Sequence, residues 1–293
     1  MRRPHGGGAP PPASWQVGLD RRHGGHGRCG LSSSSSRLPD DTVPLRQSVH
    51  AIALFLALVG VPASATALTV SAAASLGGAF TEIAERFEDA HPGHEIRLNL
   101  GGSGALLQQI RAGAPVDVFA SADSETMDRA AADGLVDARH RHDIAGNALV
   151  VAVPSDAAVL PTDLAALADP RIRRIAIGQP DAVPAGRYAR EALQTARLWE
   201  ALAPRLVPAQ NVRQALDYVA RGEVDAAFVY ATDLTLQPGR VKLAFTVRVK
   251  TPIRYPIAPV ADSREPGAAR AFVEFVRSAE GQAILRRHGF LPP

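Results

Sequence analysis

From Leu68 to the C-terminus, short apolar runs alternate with segments whose apolar residues recur every three or four positions. "LTVSAA" reads as a strand, and Leu76, Phe80, Ile83, Ala84 and Phe87 follow at helical spacing. In "EIRLNL", Ile96, Leu98 and Leu100 alternate as in a half-buried strand. The pattern predicts a short helix in "ALLQQIRAG" ending at Gly113 and a strand in "PVDVFASA". It predicts a helix in "SETMDRAAADG", capped by Ser124 and stopped at Gly134. Strands follow in "ALVVAVP" and "RIAIG", helices in "GRYAREALQTARL" and "VRQALDYVARG", then strands in "DAAFVY", "VKLAFTV" and "RYPIAPVA". One long helix, "GAARAFVEFVRSAEGQAILRRHGF", closes the chain. Strands separated by helices indicate an α/β fold on parallel sheets. There is no internal repeat. No Gly/Ser linker divides this part, so two domains would have to be joined by strands crossing between them.

The first 67 residues follow a different pattern. Residues 1–45 are rich in Gly, Pro, Ser and Arg and show no apolar period, a composition that cannot bury enough surface to order itself. Arg46 then precedes the eleven-residue apolar run Ala51–Val61 and the small residues of "ASATA". That is the pattern of a secretory signal peptide, too short for a membrane anchor. Cleavage is expected after Ala67, with Ala65 as the second site. Secretory n-regions are short, so the long tail reads as a start assigned too far upstream, with Val43 or Leu45 near the true start. A long natural leader is the alternative.

Removing the leader changes the charge picture. The whole chain carries +3, but seven arginines against three aspartates lie in residues 1–67, so residues 68–293 are close to neutral at −1. The basic balance therefore does not point to nucleic acid. The single cysteine, Cys29, also lies in the leader, outside any lipobox-like setting. The exported part has no thiol, no disulfide and no cysteine-based metal site.

Ligands of open α/β sheets sit where strands run into helices, and several such junctions carry small or polar residues. Ser75 follows the first strand in A-x-S-x-G (Ala73–Gly77), one residue short of a nucleophile elbow. It can be a helix cap, an anion ligand or a nucleophile. A nucleophile would need one of His91, His94, His140, His142 or His288, and none sits in an obvious catalytic loop. In "LNLGGSGALLQQI", Gly101, Gly102 and Gly104 surround Ser103 just before a helix. Glycines admit a ligand close to the backbone, and the helix start adds free N–H donors. The string is neither a P-loop nor G-x-G-x-x-G. Pro184, Ala185 and Gly186 open another helix, Val212 a third, and Tyr230 ends a strand. Arg187 and Arg213 lie inside helices and can face solvent. Together these features suit a dehydrated oxyanion held by neutral donors.

At this point the sequence resembles a known family. "AAASL", "GGSGALLQQIRAGAPVDVFASAD", "GNALVVAVP", "VPAGRYAREAL", "NVRQALDYVARGEVDAAFVYATD" and "YPIAPV" are similar to the molybdate-binding periplasmic proteins of ABC importers, from about Leu68 to Leu291. The resemblance implies a two-lobed periplasmic-binding-protein fold of type II. Each lobe would be a mostly parallel sheet flanked by helices, with crossing hinge strands between them. Residues 68–148 with 255–293 would form one lobe and residues 149–254 the other. It implies an exported, periplasmic, monomeric protein without catalysis or cofactor. Molybdate or tungstate would be held between the lobes and handed to a membrane permease and its ATPase, with molybdenum bound as its oxyanion rather than by direct metal ligands. Carried over, the ligand residues are Ser75 and Ser103, then Ala185 and Val212, these two through their backbone, and Tyr230 through its phenol. "GGSG" replaces a serine-rich turn of the family, so a Gly102 or Gly104 amide can share the role of Ser103.

Such a site would offer donors and essentially no acceptors. It would favour a dianion over a protonated phosphate, whose O–H would be buried without a partner at a cost of about 1–3 kcal/mol. The competing readings are a binding protein for sulfate or another oxyanion, and, in a different class, a secreted serine hydrolase using Ser75.

Overall fold

The computed structural model describes residues 66–293. The leader, its apolar run and Cys29 lie outside the described residues. Two five-stranded sheets organise the chain. Sheet I contains β1 (Thr66–Ala73), β2 (His94–Gly101), β3 (Val118–Ala120), β4 (His142–Asn147) and β10 (Ile253–Pro259) in the order β2-β1-β3-β10-β4. Sheet II contains β5 (Leu149–Pro154), β6 (Ile175–Gly178), β7 (Leu206–Ala209), β8 (Ala226–Tyr230) and β9 (Val241–Thr246) in the order β7-β6-β8-β5-β9.

The two orders are the same pattern, and each sheet has one inverted strand. β10 pairs antiparallel with β3 and β4, while β1 is parallel to β2 and β3. β5 pairs antiparallel with β8 and β9, while β6 is parallel to β7 and β8. The inverted strands are the two that enter after a crossing. The chain leaves sheet I at Asn147, starts sheet II at Leu149, and returns from β9 into β10. The fold is α/β, with mixed sheets flanked by helices and four of the five strands in each sheet running one way.

Helices cover the sheets. On sheet I these are α1 (Gly77–Ala90), α2 (Ser103–Arg111), α3 (Ser124–Ala132), α7 (Pro266–Arg277) and α8 (Ala279–Arg287). Helices α4 (Pro184–Thr195), α5 (Trp199–Leu202) and α6 (Val212–Ala220) belong to sheet II. The burial follows the apolar spacing: α1 turns Phe80, Ile83 and Phe87 inward beneath Phe272 of α7. Inner strands, covered on both faces, read as continuous apolar runs, as Leu149–Val153 of β5 shows. Edge strands β2 and β9 are only half-buried.

Three expectations are corrected. The cap of α3 is Asp123, whose carboxylate accepts from Thr126 N–H, because Asp123 is the last residue in extended backbone; Ser124 is already helical. The strand expected in "PVDVFASA" is ordered as β3 over only Val118–Ala120. The closing helix is two helices. Ser278 is extended between them, its hydroxyl donating to Phe275 O and accepting from Gly281 N–H, so one serine ends α7 and starts α8. Elements without a periodic signal were also added: β4, β7 and α5. β1 begins at Thr66, with Thr66 and Ala67 paired to His94 and Glu95.

Candidate functional site

A small cavity lies where the strand ends of both sheets meet. Its walls are Ala73, Ala74 and Ser75 after β1; Gly101, Gly102 and Ser103 after β2; and Ala122 after β3. From the other side come Val183, Pro184 and Ala185 at α4, Val212 at α6 and Tyr230 at the end of β8. Water-sized spheres can be centred in only about 10 Å³ of it, room for one small guest. All five residues singled out in the sequence therefore converge on one chamber, although they span 155 positions of chain.

The chemistry of the walls is uniform. Among the described residues, no Asp, Glu, Lys, Arg or His lines the cavity. The first N–H groups of any helix lack intrahelical partners, and two of the three helix starts here carry no side-chain cap. Neither α2, with Gly102 as N-cap, nor α4, with Val183, has a side-chain cap. At α6 the Asn211 side chain takes Gln214 N–H, two residues beyond Val212. Pro184 supplies no N–H, so the first donor of α4 is Ala185. Each start also carries partial positive charge. The walls thus favour an anion without supplying a counter-cation.

The hydroxyls point the same way. Ser103 Oγ accepts from Ala122 N–H at 3.0 Å, which leaves its proton for the cavity. Ser75 Oγ is 3.0 Å from Tyr255 Oη. The Tyr230 phenol is 1% exposed and its Oη has no hydrogen-bond partner among the described residues. Burial pushes its pKa well above the ordinary tyrosine value, with the neighbouring Tyr255 adding to the rise. Tyr230 therefore stays a neutral donor. Leaving such a group unpaired costs about 1–3 kcal/mol, and a guest oxygen would remove that cost.

Two arginines hold the two sides together. Arg187, on α4, forms an ion pair with Asp123 across the cleft. Arg213, on α6, donates to Ala74 O at 3.1 Å and to Ser75 O at 2.9 Å, while its other nitrogen stands 3.1 Å from Asp233. The expectation that both face solvent is corrected: their side chains are 15% and 24% exposed. Their partners lie 64 and 138–139 residues away, beyond what helical position alone can indicate. Asp233 is fully buried, and that burial raises its pKa to about 6 despite the opposing pull of Arg213. Gly104 N–H donates to Ala182 O at 2.9 Å across the same cleft. That amide is therefore occupied in this structure.

Residues 68–291 match the family described as bacterial extracellular solute-binding protein. The chain belongs to this family. The solute-binding protein is 35% identical to the molybdate-binding protein ModA of Escherichia coli K12, over 76% of this chain and 88% of that one. It is 31% identical to ModA of Haemophilus influenzae, over 81% and 95%. Its fold matches the periplasmic molybdate-binding protein of Azotobacter vinelandii with a TM-score of 0.69 at 26% identity, over 77% of this chain and 99% of that one. The sulfate-binding protein SubI of Mycobacterium tuberculosis shares the fold, with a TM-score of 0.67 at 19% identity. Among the described residues no helix is long and apolar enough to cross a membrane, and no His, Cys, Asp and Glu cluster could hold a metal ion.

The solute-binding protein's Ser75 is poorly placed for nucleophilic attack. A serine nucleophile needs a base at its hydroxyl, and the group there is the Tyr255 phenol. His288 is bonded to Glu82 instead.

Proposed function

We propose that this protein captures molybdate, and tungstate with it, and delivers the ion to an ABC importer's permease and ATPase. The observation that carries the reading is the Tyr230 hydroxyl, buried and unpartnered at the wall of an uncharged chamber ringed by open helix starts. A tetrahedral dianion would accept from Ser75 and Ser103 through their hydroxyls, from Ala185 and Val212 through their amides, and from Tyr230 through its phenol. The relatives named for molybdate support the choice of ion. Residues 68–148 with 255–293 would act as one lobe and 149–254 as the other, closing over the ion. The ion's better fit to the closed form would drive the closure. The protein would work outside the cytoplasm as a monomer, without catalysis or cofactor.

Calorimetric titration of the exported protein with molybdate, tungstate and sulfate tests this. One-to-one binding of molybdate and tungstate, with sulfate far weaker, is expected. Sulfate binding as tight or tighter would make it an importer component for a different oxyanion. No binding of any of the three would overturn the reading.

A further inference from the structure

Behind Ser75 runs a chain of buried hydrogen bonds whose direction can be worked out atom by atom. It begins at the crossing between the sheets. Ala148 N–H donates to Asn147 Oδ1 at 2.8 Å, and a backbone amide can only donate. That fixes which end of the Asn147 amide is oxygen. The other end is therefore the NH2 group, and its two protons are both used: one toward Thr232 Oγ1 at 3.0 Å, the other toward Tyr255 Oη at 3.2 Å. Tyr255 Oη is thus an acceptor from Asn147. Its own single proton has one remaining partner among the described residues, Ser75 Oγ at 3.0 Å. Ser75 Oγ accepts that proton, which leaves its own free for the cavity that Ser75 lines.

We propose that Tyr255, held by Asn147, is a specificity-determining positioning residue that fixes Ser75 as a hydrogen-bond donor toward the guest. Without it the Ser75 hydroxyl is an ordinary rotor that can donate or accept. With it, the hydroxyl offers an incoming oxyanion a proton and refuses one. The Ser103 hydroxyl is committed the same way by Ala122 N–H. An ion that carries its own O–H, such as hydrogen phosphate, then meets a proton rather than a lone pair along the bond from either serine. A fully deprotonated dianion finds donors only. Tyr255 does not line the cavity, so its effect passes entirely through Ser75. Asn147 belongs to β4 and Tyr255 to β10, the strands that leave and re-enter sheet I at the crossing, so the relay is anchored in that part of the fold.

The inference rests on the proposed oxyanion reading, and the test separates the two. The wild type, Tyr255→Phe and Asn147→Asp are each titrated with molybdate, sulfate and phosphate at one slightly alkaline pH, where all three are dianions and only phosphate keeps a proton. Tyr255→Phe removes the donor to Ser75 while keeping the ring. Asn147→Asp reverses the chain: a carboxylate accepts from Tyr255, Tyr255 accepts from Ser75, and Ser75 then shows the cavity a lone pair. Both variants are expected to lower the molybdate-to-phosphate affinity ratio, by about tenfold for Tyr255→Phe, the scale of one hydrogen bond, and by more for Asn147→Asp. The molybdate-to-sulfate ratio should stay put in Tyr255→Phe, because neither ion carries a proton. The charge added in Asn147→Asp repels all three dianions alike, so charge alone leaves the ratios unmoved. Thermal unfolding without ligand identifies a variant that fails to fold, and Tyr255→Phe then carries the test. An unchanged molybdate-to-phosphate ratio in Tyr255→Phe, or a sulfate ratio that moves with it, would overturn the relay and leave Tyr255 a packing residue. A wild type that binds none of the three would overturn the oxyanion reading itself and the relay with it.

Discussion

The two sheets present equivalent strand ends to the cavity, yet they furnish them differently. In sheet I, the turns after β1 and β2 bring serine hydroxyls, Ser75 and Ser103. In sheet II, the matching turns after β6 and β7 bring Ala185 and Val212, whose side chains offer no polar group. What they offer is the N–H of an open helix start. The third strands, β3 and β8, are each followed within three residues by a buried aspartate, Asp123 and Asp233, and each aspartate grips an arginine of the cleft. Apart from the Tyr230 phenol at the end of β8, one side of the site is thus written in residue identity and the other in backbone geometry. Substitutions should damage the two sides by different routes.

The largest effect is expected where sheet II sets its backbone. A Cβ on Gly186 would lie 1.8 Å from Gly178 O, so α4 sits against the end of β6 with no room for a methyl group. Gly186→Ala should destabilise the fold by about 3 kcal/mol or more, since the clash is with a main-chain oxygen that must shift. A chemical denaturation curve reads this directly. Gly104→Ala should act differently. Its Cβ would meet Ala182 O at 2.8 Å and Ala182 Cα at 2.9 Å, both across the cleft. It should leave the ligand-free unfolding curve nearly unchanged but weaken molybdate binding by about 100-fold, through a few kcal/mol of hindered closure. Equal loss of stability in the two variants would erase the distinction between holding a lobe together and letting two sides meet.

The contrast between the sheets also explains what was legible in the sequence. Ser75, Ser103 and Tyr230 could be picked out because their side chains carry the chemistry. Ala185 and Val212 could be placed only as helix starts, and the resemblance gave them their role, because any residue supplies an amide and nothing in its identity marks the role. The α/β alternation was readable because inner strands such as β5 are unbroken apolar runs. β4 in "HDIAGN" and β7 in "LVPA" have neither a run nor an alternation, and their neighbours in the sheets define them. The break at Ser278 was hidden because apolar spacing continues across it from Val276 to Ile284. Hardest to see were Asn147, Tyr255, Arg213 and Asp233. The bond from Ser75 to Tyr255 spans 180 positions, and no local pattern encodes it.

A smaller effect separates the two kinds of wall. Ser103→Ala removes a donor and should weaken molybdate binding about tenfold, the scale of one hydrogen bond to a charged acceptor. Val212→Ala keeps the amide and should change affinity by less than about threefold, the residue of a lost packing contact at a site that stays buried. Comparable losses at both would mean that the helix starts of sheet II also bind through side chains.

The effect furthest from ligand binding lies in the pH dependence of the clasp. Asp233 is raised from 3.8 to about 6, chiefly by burial, with Arg213 and the Tyr230 N–H pulling the other way. In the unfolded chain its carboxyl gives up its proton near 3.8; in the fold it keeps it until about 6. Between those values the folded state binds more protons than the unfolded state, so stability from this group is fully present below the lower value and is lost as pH rises through the upper one. Other carboxylates act oppositely: hydrogen bonds from His288 and Arg287 lower Glu82, so the whole-protein curve mixes both signs. The informative quantity is therefore the difference between wild type and Asp233→Asn, which cannot titrate there. That difference should change by about 2 kcal/mol between pH 4 and pH 6 and be flat above pH 7. A difference already flat from pH 4 upward would mean that Arg213 keeps Asp233 charged throughout, making the clasp a permanent ion pair.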